Sequence, residues 1–412
     1  MSIAVNNPTV PIEHQASHAV EKALVVLWFV VTFTVFKNDE LILYALAFYF
    51  FYAFVRQRDE TIPLLFKCWP LLLLPLWALV SSGFGVVPQV AMRTAVQMIL
   101  TLQISILIVV WLRPREIILT VLAATGICGV LSVFITSYHD GAMTGIFAHK
   151  NMLGAKMLML WTAALCVALD RWIRLWVRLV AAGMSILAFA LILASHSATA
   201  LVLALAIVGM ISTFAFFAGR GRLTPVSRFA FGLILFGIAG LTIPAIASEA
   251  GSFVDSALGS LGKSRTLTGR TDLWAYAEDV IRERPWIGHG AGGFWRYEES
   301  DLVREIFAEF HKNPNQHFSF HNSFYEITVH FGLIGLALTL FTLVWIYLGQ
   351  FKQLLLRGGL PFVFFPTIAV VELIRSFVES SLMKPFQIAN VLIFIGVILT
   401  VKYPLTRGQS GR

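Results

Sequence analysis

Residues 94–112, TAVQMILTLQISILIVVWL, and residues 116–136, EIILTVLAATGICGVLSVFIT, form two apolar runs separated only by Arg113-Pro114-Arg115. Apart from Glu116 at the head of the second, neither carries a charge. A helix needs about 20 apolar residues to cross the hydrocarbon core of a bilayer. Each run meets that length, and the basic tripeptide between them reads as a tight turn in the headgroup layer on the cytoplasmic side. This pair sets the pattern for the rest of the chain.

The whole composition agrees. Of the 412 residues, 58% are hydrophobic and 13% charged, with mean hydropathy +0.78. A soluble domain is nearer one quarter charged, so this chain has too few charges to cover a water-facing surface. The formal net charge of +8 suggests nucleic acid or anionic lipid as partners. Most of the cations lie at the ends of apolar runs, which sets nucleic acid aside. Cys68, Cys128 and Cys166 sit inside apolar runs, so neither a disulfide framework nor a metal site follows from them. The polar stretch before the first run has no basic segment and no small-residue cleavage site, so an uncleaved signal anchor is expected.

Apolar runs place spans near 23–36, 41–55, 64–80, 94–112, 116–136, 152–169, 176–195, 198–218, 229–248, 323–349, 359–378 and 386–402. Lys and Arg collect in alternate gaps: Arg56, Arg58 and Lys67; Arg113 and Arg115; Arg171, Arg174 and Arg178; Arg220, Arg222 and Arg228; Lys352 and Arg357; then Lys402, Arg407 and Arg412. Cytoplasmic loops are enriched in such residues, so both termini are expected in the cytoplasm. The fold class expected is an all-α polytopic membrane protein of about 12 transmembrane helices with a large, partly helical periplasmic loop. Its divisions are 1–248, the loop 249–322, and 323–412.

Long connections in compact proteins are usually functional or disordered. Residues 249–322 show helical periodicity instead of disorder. Leu273, Trp274, Ala277, Val280 and Ile281 recur at helical spacing until Pro285 ends the pattern, and Leu302, Ile306, Phe307 and Phe310 mark a second amphipathic stretch. Such helices are expected to lie in the headgroup plane, roofing the bundle.

Candidate functional residues gather on the outer side. Arg93, Lys150 and Arg375 depart from the positive-inside bias, and Lys263, Arg265 and Arg270 lie in the long loop. A single such cation more often snorkels than binds a ligand. Several on one leaflet suit a dense anion at membrane depth, such as a lipid-linked diphosphate. His321 precedes Asn322 and Ser323, either of which can cap the tenth span. A neutral imidazole there suits a general base; on spacing alone a solvated histidine beside a cap is the stronger reading. His149, Lys150 and Asn151 open the sixth span with either a phosphate-binding or a capping role. Glu372, Arg375 and Glu379 share one helical face, as an ion-pair ladder or as ligands. Ser195, His196, Ser197 and Thr199 form a polar turn with the same two readings. Trp274, Trp286, Trp295 and Tyr297 suit sugar stacking or an interfacial aromatic belt.

Two motif likenesses carry nothing. Gly288, Gly290 and Gly293 fit G-x-G-x-x-G without a βαβ unit, and Gly262-Lys263-Ser264 lacks the first glycine of a P-loop, which is Ala257 here. No Asp-x-Asp pair is present. That argues against a metal-chelated nucleotide-sugar donor and for a donor already activated on a lipid, with neither cofactor nor metal.

The strings GIFAHKNMLG (145–154), TGRTDLW (268–274), RPWIGHGAGGFW (284–295) and HNSFYEITVHFGLIGL (321–336) resemble those of the O-antigen ligase and exopolysaccharide polymerase superfamily. The similarity runs from about the third span to the twelfth, and the His-Lys-Asn form is nearest the exopolysaccharide polymerase branch. The resemblance implies a metal-independent, inverting glycosyltransferase of the bacterial inner membrane. Its donor would be an undecaprenyl-diphosphate-linked glycan, and its acceptor a glycan or lipid-linked hydroxyl on the periplasmic face. It implies His321 as base and Arg270 as diphosphate clamp, with Lys150 and Arg93 as weaker candidates. His149, Asn151, Asn322 and Arg375 complete the expected substrate contacts. Relatives often carry a cation in the serine-rich turn, where this chain has Ala198. Transfer of finished polymer to lipid A core is the alternative within the class. A transporter is disfavoured because no second copy of the long loop and no paired helix breaks appear. A catalytically silent assembly partner is a further reading.

Overall fold

The computed structural model describes residues 13–34, 36, 39–139, 141–217, 268–314, 318–357 and 359–404. The expected span 229–248, Lys263, Arg265 and the P-loop likeness lie outside the described residues. So do Arg220, Arg222, Arg228, Arg407 and Arg412. The described chain is almost entirely helical, with one two-residue antiparallel pairing of Tyr138–His139 and Ala142–Met143.

The chain divides into two compact units, residues 1–67 with 103–211 and residues 68–102 with 212–412. The first holds α1 (Glu13–Phe33), α2 (Asp39–Arg56), α3 (Arg58–Lys67), the second half of α5 (Pro88–Trp111), α6 (Pro114–Phe134), α7 (Lys150–Leu169), α8 (Leu175–Ala194) and α9 (Ala198–Phe217). α6 packs against α1 and α7, and α7 against α8. Its buried hydroxyls turn back on their own helices: Thr120, Thr125 and Thr162 donate to the carbonyls of Ile117, Val121 and Leu158. Lipid offers no alternative partner. The basic turn between the two opening runs is anchored by Arg115, whose Nε lies 2.7 Å from Asp170 at the end of α7. The turns after α5 and after α7 therefore share one side of this unit.

The second unit holds α4 (Leu73–Ser82), the first half of α5, α10 (Thr268–Glu283), α11 (Asp301–Glu309), α12 (Ser323–Arg357), α13 (Leu360–Ser376) and α14 (Ile388–Lys402). α12 is its axis, contacting α4, α10, α13 and α14. Side-chain amides cross between helices here: Gln350 donates to Ile393 O at 3.0 Å and Gln353 to Tyr403 O at 3.0 Å.

Five described helices are long and apolar enough to cross a membrane: α5, α6, α7, α8 and α12. Three shorter apolar helices, Leu41–Arg56, Ala198–Phe214 and Ile388–Lys402, accompany them. The third expected span, 64–80, is not one helix. It splits at Cys68, where Trp69–Leu72 forms a 3-10 turn around Pro70, whose missing N–H interrupts the α-helical ladder. The tenth is broken as well. Gly332 takes φ +68° and ψ −175° inside α12, separating a short outer turn of helix, Ser323 to Phe331, from the long segment beyond.

The loop helices also differ from expectation. Their apolar faces do not turn to lipid. Leu273, Ala277 and Val280 of α10 and Val303, Ile306 and Phe307 of α11 bury one another, together with Phe294, Phe320 and Val329. The described part of the loop, from Thr268 on, builds a core of its own and closes it over the N-terminal end of α12. Fully burying a side chain the size of Phe320 is worth about 1.5–3 kcal/mol, so aromatic-rich loop helices gain more from each other than from an interfacial position.

Candidate functional site

The break at Gly332 is occupied by backbone. The Pro285-Trp286-Ile287-Gly288 segment runs against it, with Leu333 N donating to Pro285 O at 2.7 Å. His289 N donates to Val329 O and Gly290 N to His330 O, each at 2.9 Å. A β-carbon on Gly332 would stand 2.1 Å from Trp286 O, and one on Gly288 2.6 Å from the His330 carbonyl carbon. Gly288 and Gly290 also hold positive φ. The glycines of RPWIGHGAGG thus allow a close backbone approach, which fixes the long loop to the outer turn of α12.

At the head of that turn lies His321, with φ +49°. Non-glycine residues avoid this region and persist there only when their surroundings over-determine it. They do so here. Phe320, just before it, is fully buried, its N–H held by Glu326 Oε2 at 3.0 Å and its carbonyl by Trp274 Nε1 at 2.9 Å. Asn322, just after it, caps α12 by accepting from Phe324 N at 2.9 Å. Ser323 Oγ then donates to Glu379 O at 2.7 Å and accepts from the N–H groups of Ser381 and Leu382, each at 3.1 Å. The turn carrying His321 and the turn carrying Glu379 are thereby tied together.

The imidazole Nδ1 of His321 is shut off from solvent, has no hydrogen-bond partner, and stands 3.6 Å from Glu379 Oε2. That is too long for a hydrogen bond and within reach of an ion pair. Both side chains are a little over one third exposed, so the pair sits at a mouth and not in the core. Burial pushes the Glu379 carboxyl up. His321 facing it, with the charges of Arg375 and Arg270, more than offsets this, and the carboxyl lies below the ordinary range.

Arg375 also pairs with the buried Glu372, Nη1 to Oε2 at 3.0 Å, and Glu372 accepts a hydrogen bond from Ser381. The ladder expected along one helical face is therefore a pair. α13 ends at Ser376, and Glu379 belongs to the turn beyond it. Asn322, expected to touch substrate, has its side-chain oxygen committed to the cap. Arg93 is an exposed residue of α5. His149, Lys150 and Asn151 belong to the other unit. There His149 is the cap of α7, its Nδ1 accepting from Met152 N at 3.2 Å, and Lys150 and Asn151 start the helix. Gly154 on the next turn leaves room for the serine-rich turn: a β-carbon would meet Ser195 Oγ at 2.9 Å and Ala200 Cβ at 2.8 Å. Of the four aromatics, Trp295 and Tyr297 pack on the loop core and Trp274 stacks on Tyr325 at 5.7 Å. Trp286 remains largely exposed.

Sequence reasoning missed three residues. Glu379 was placed on the face of Glu372 and Arg375, as ladder or ligand, and not beside His321. Glu326 and His330 form a buried pair, Oε1 to Nε2 at 3.1 Å. His330 Nδ1 faces the Gly290 carbonyl at 3.2 Å, which only accepts, so that nitrogen carries its proton. The signal was an acid and a histidine four residues apart in an otherwise apolar helix start.

Comparison with known proteins points the same way. Residues 182–340 match the family model described as O-antigen ligase. It is also 29% identical, over 334 residues spanning 77% of this chain and 74% of the relative, to the exopolysaccharide production protein ExoQ of Rhizobium meliloti (strain 1021). The chain is thus similar to an exopolysaccharide production protein and, over part of its length, to the O-antigen ligase family model.

Proposed function

We propose that the protein is a metal-independent glycosyltransferase that elongates exopolysaccharide or O-antigen repeat units on the periplasmic face of the inner membrane. In this reading the chain crosses the bilayer twelve times with both termini in the cytoplasm, and the donor glycan is carried on undecaprenyl diphosphate. The observation that carries the proposal is the approach of His321 Nδ1 to Glu379 Oε2, 3.6 Å apart with both side chains a little over one third exposed, at a carboxylate that also feels the positive charge of Arg375 and Arg270.

Nδ1 of His321 is turned to Glu379, leaving Nε2 for the acceptor hydroxyl. As the bond from the donor C1 to the diphosphate oxygen breaks, the hydroxyl oxygen bonds to C1 from the opposite face, giving inversion. Its proton passes to Nε2, and Glu379 stabilises the imidazolium that results. Arg270 and Arg375 stabilise the negative charge gathering on the departing diphosphate, with Arg93 as a further anion contact. The loop core excludes water that would otherwise hydrolyse the donor.

The O-antigen ligase match supports a second reading, transfer of finished polymer to a lipid A core sugar. Incubating purified protein with an undecaprenyl-diphosphate oligosaccharide, with and without lipid A core, separates the two. Lengthening without the core acceptor is expected. A single capped product that forms only with the acceptor would establish the ligase instead.

A further inference from the structure

Glu326 lies five residues beyond His321, is 6% exposed, and is too enclosed to meet a substrate. Its carboxylate nevertheless receives four donors from four segments. Oε1 accepts from Trp295 Nε1 at 2.9 Å and faces His330 Nε2 at 3.1 Å. Oε2 accepts from Phe320 N at 3.0 Å and from Ser380 Oγ at 3.3 Å. Phe320 immediately precedes His321, and Ser380 immediately follows Glu379. One buried oxygen therefore holds the backbone beside the imidazole and the turn beside its carboxylate partner.

The chemistry of the donors explains why this position carries an acid. Phe320 N–H, Trp295 N–H and Ser380 O–H all donate. His330, with its Nδ1 proton committed to Gly290 O, has nothing but a further proton to offer through Nε2 in a direct hydrogen bond. An ionised carboxylate is acceptor-only at both oxygens and satisfies all four groups. An amide of the same shape would turn an NH₂ toward two donors at one of its ends.

We infer that Glu326 is a positioning residue for the transfer reaction: it sets the spacing of His321 and Glu379 by holding Phe320 and Ser380 on one carboxylate. The inference rests on the reading of His321 as the base. Loss of that spacing misplaces the base without touching the groups that hold the diphosphate. Displacements of about 1 Å cost on the order of 100-fold in rate.

The test is steady-state kinetics of the full-length protein in detergent, using undecaprenyl-diphosphate oligosaccharide extracted from the host's membranes as donor. For Glu326→Gln, kcat is expected to fall about 100-fold while the donor KM stays within about twofold, at unchanged protein yield. Glu326→Asp, which keeps an acceptor-only group, is expected to recover part of the loss. If Glu326→Gln fails to accumulate, Ser380→Ala withdraws a single donor from Oε2, and the same selective fall in kcat, several-fold in size, is expected. A kcat within twofold of the parent in the accumulating variant overturns the inference, as does a rise in KM that accounts for the whole loss. His321→Ala, run alongside, tells the two failures apart. If it is inactive while Glu326→Gln is fully active, only the positioning role falls. If it turns over at the parental rate, the base assignment falls and takes the positioning role with it.

Discussion

His321 Nδ1 stands 3.6 Å from Glu379 Oε2, across a gap between two turns that Ser323 clamps with three hydrogen bonds. An imidazole placed this way can take a proton at its other nitrogen and have the new charge balanced at once. Glu379→Gln keeps the shape and removes that balance. Turnover is expected to fall roughly 100-fold, the low end of what a general base contributes. Initial rates at saturating donor measure it, and an unchanged rate would detach Glu379 from the chemistry.

Gly332→Ala tests the link between the loop and α12. The new β-carbon would stand 2.1 Å from Trp286 O on a residue at φ +68°, and the facing atom is backbone, which cannot swing away. A cost of about 3 kcal/mol or more is expected, read as a lowered midpoint of thermal unfolding and reduced accumulation. Ala at Gly183, where a β-carbon meets nothing within 4 Å, is the control and should leave both unchanged.

These two sites show what was legible in the chain. The apolar runs and the alternating cations marked the helical membrane architecture, because lipid imposes length and charge rules that any window of sequence must obey. Arg270 and His321 were singled out through motif strings; His321 faces Glu379, and the charge of Arg270 acts on that carboxylate. Glu379 itself was not identified, since spacing along a helix placed it on the face of Glu372 and Arg375. The helix ends at Ser376, and nothing local distinguishes a carboxylate three residues past the end from one on the last turn. The glycine string was read as having no part in nucleotide binding. Its actual task, admitting backbone against a broken helix, depends on a contact between residues 286 and 332 that no local pattern encodes.

Arg375 has two tasks that mutation can separate. It neutralises Glu372, whose side chain is 3% exposed, and it adds positive charge at Glu379. Arg375→Gln alone leaves a buried acid unpaired and is expected to destabilise by about 3–5 kcal/mol. Adding Glu372→Gln should restore accumulation in the membrane without restoring polymer synthesis. Recovery of both would confine Arg375 to a structural role.

His289 is buried beside α12. Burial holds its imidazole below the ordinary value of 6.5, against the raising influence of Glu283. A histidine depressed in the folded state binds fewer protons there than when unfolded, so its contribution is present above about pH 6.5 and is lost as pH falls through the folded value. Thermal unfolding of the detergent-solubilised protein should therefore show a drop in midpoint between pH 7.5 and 5.5 that His289→Gln reduces. An identical drop in both proteins would assign the acid sensitivity elsewhere.

The central claim is that one imidazole and a set of arginines discharge a sugar from a diphosphate lipid. Its most direct measurement is release of undecaprenyl diphosphate in a single turnover of donor on excess purified protein. The parent should release it together with a lengthened glycan. Arg270→Ala and His321→Ala should both insert normally and release none above background. Release at the parental rate by either variant would contradict the account.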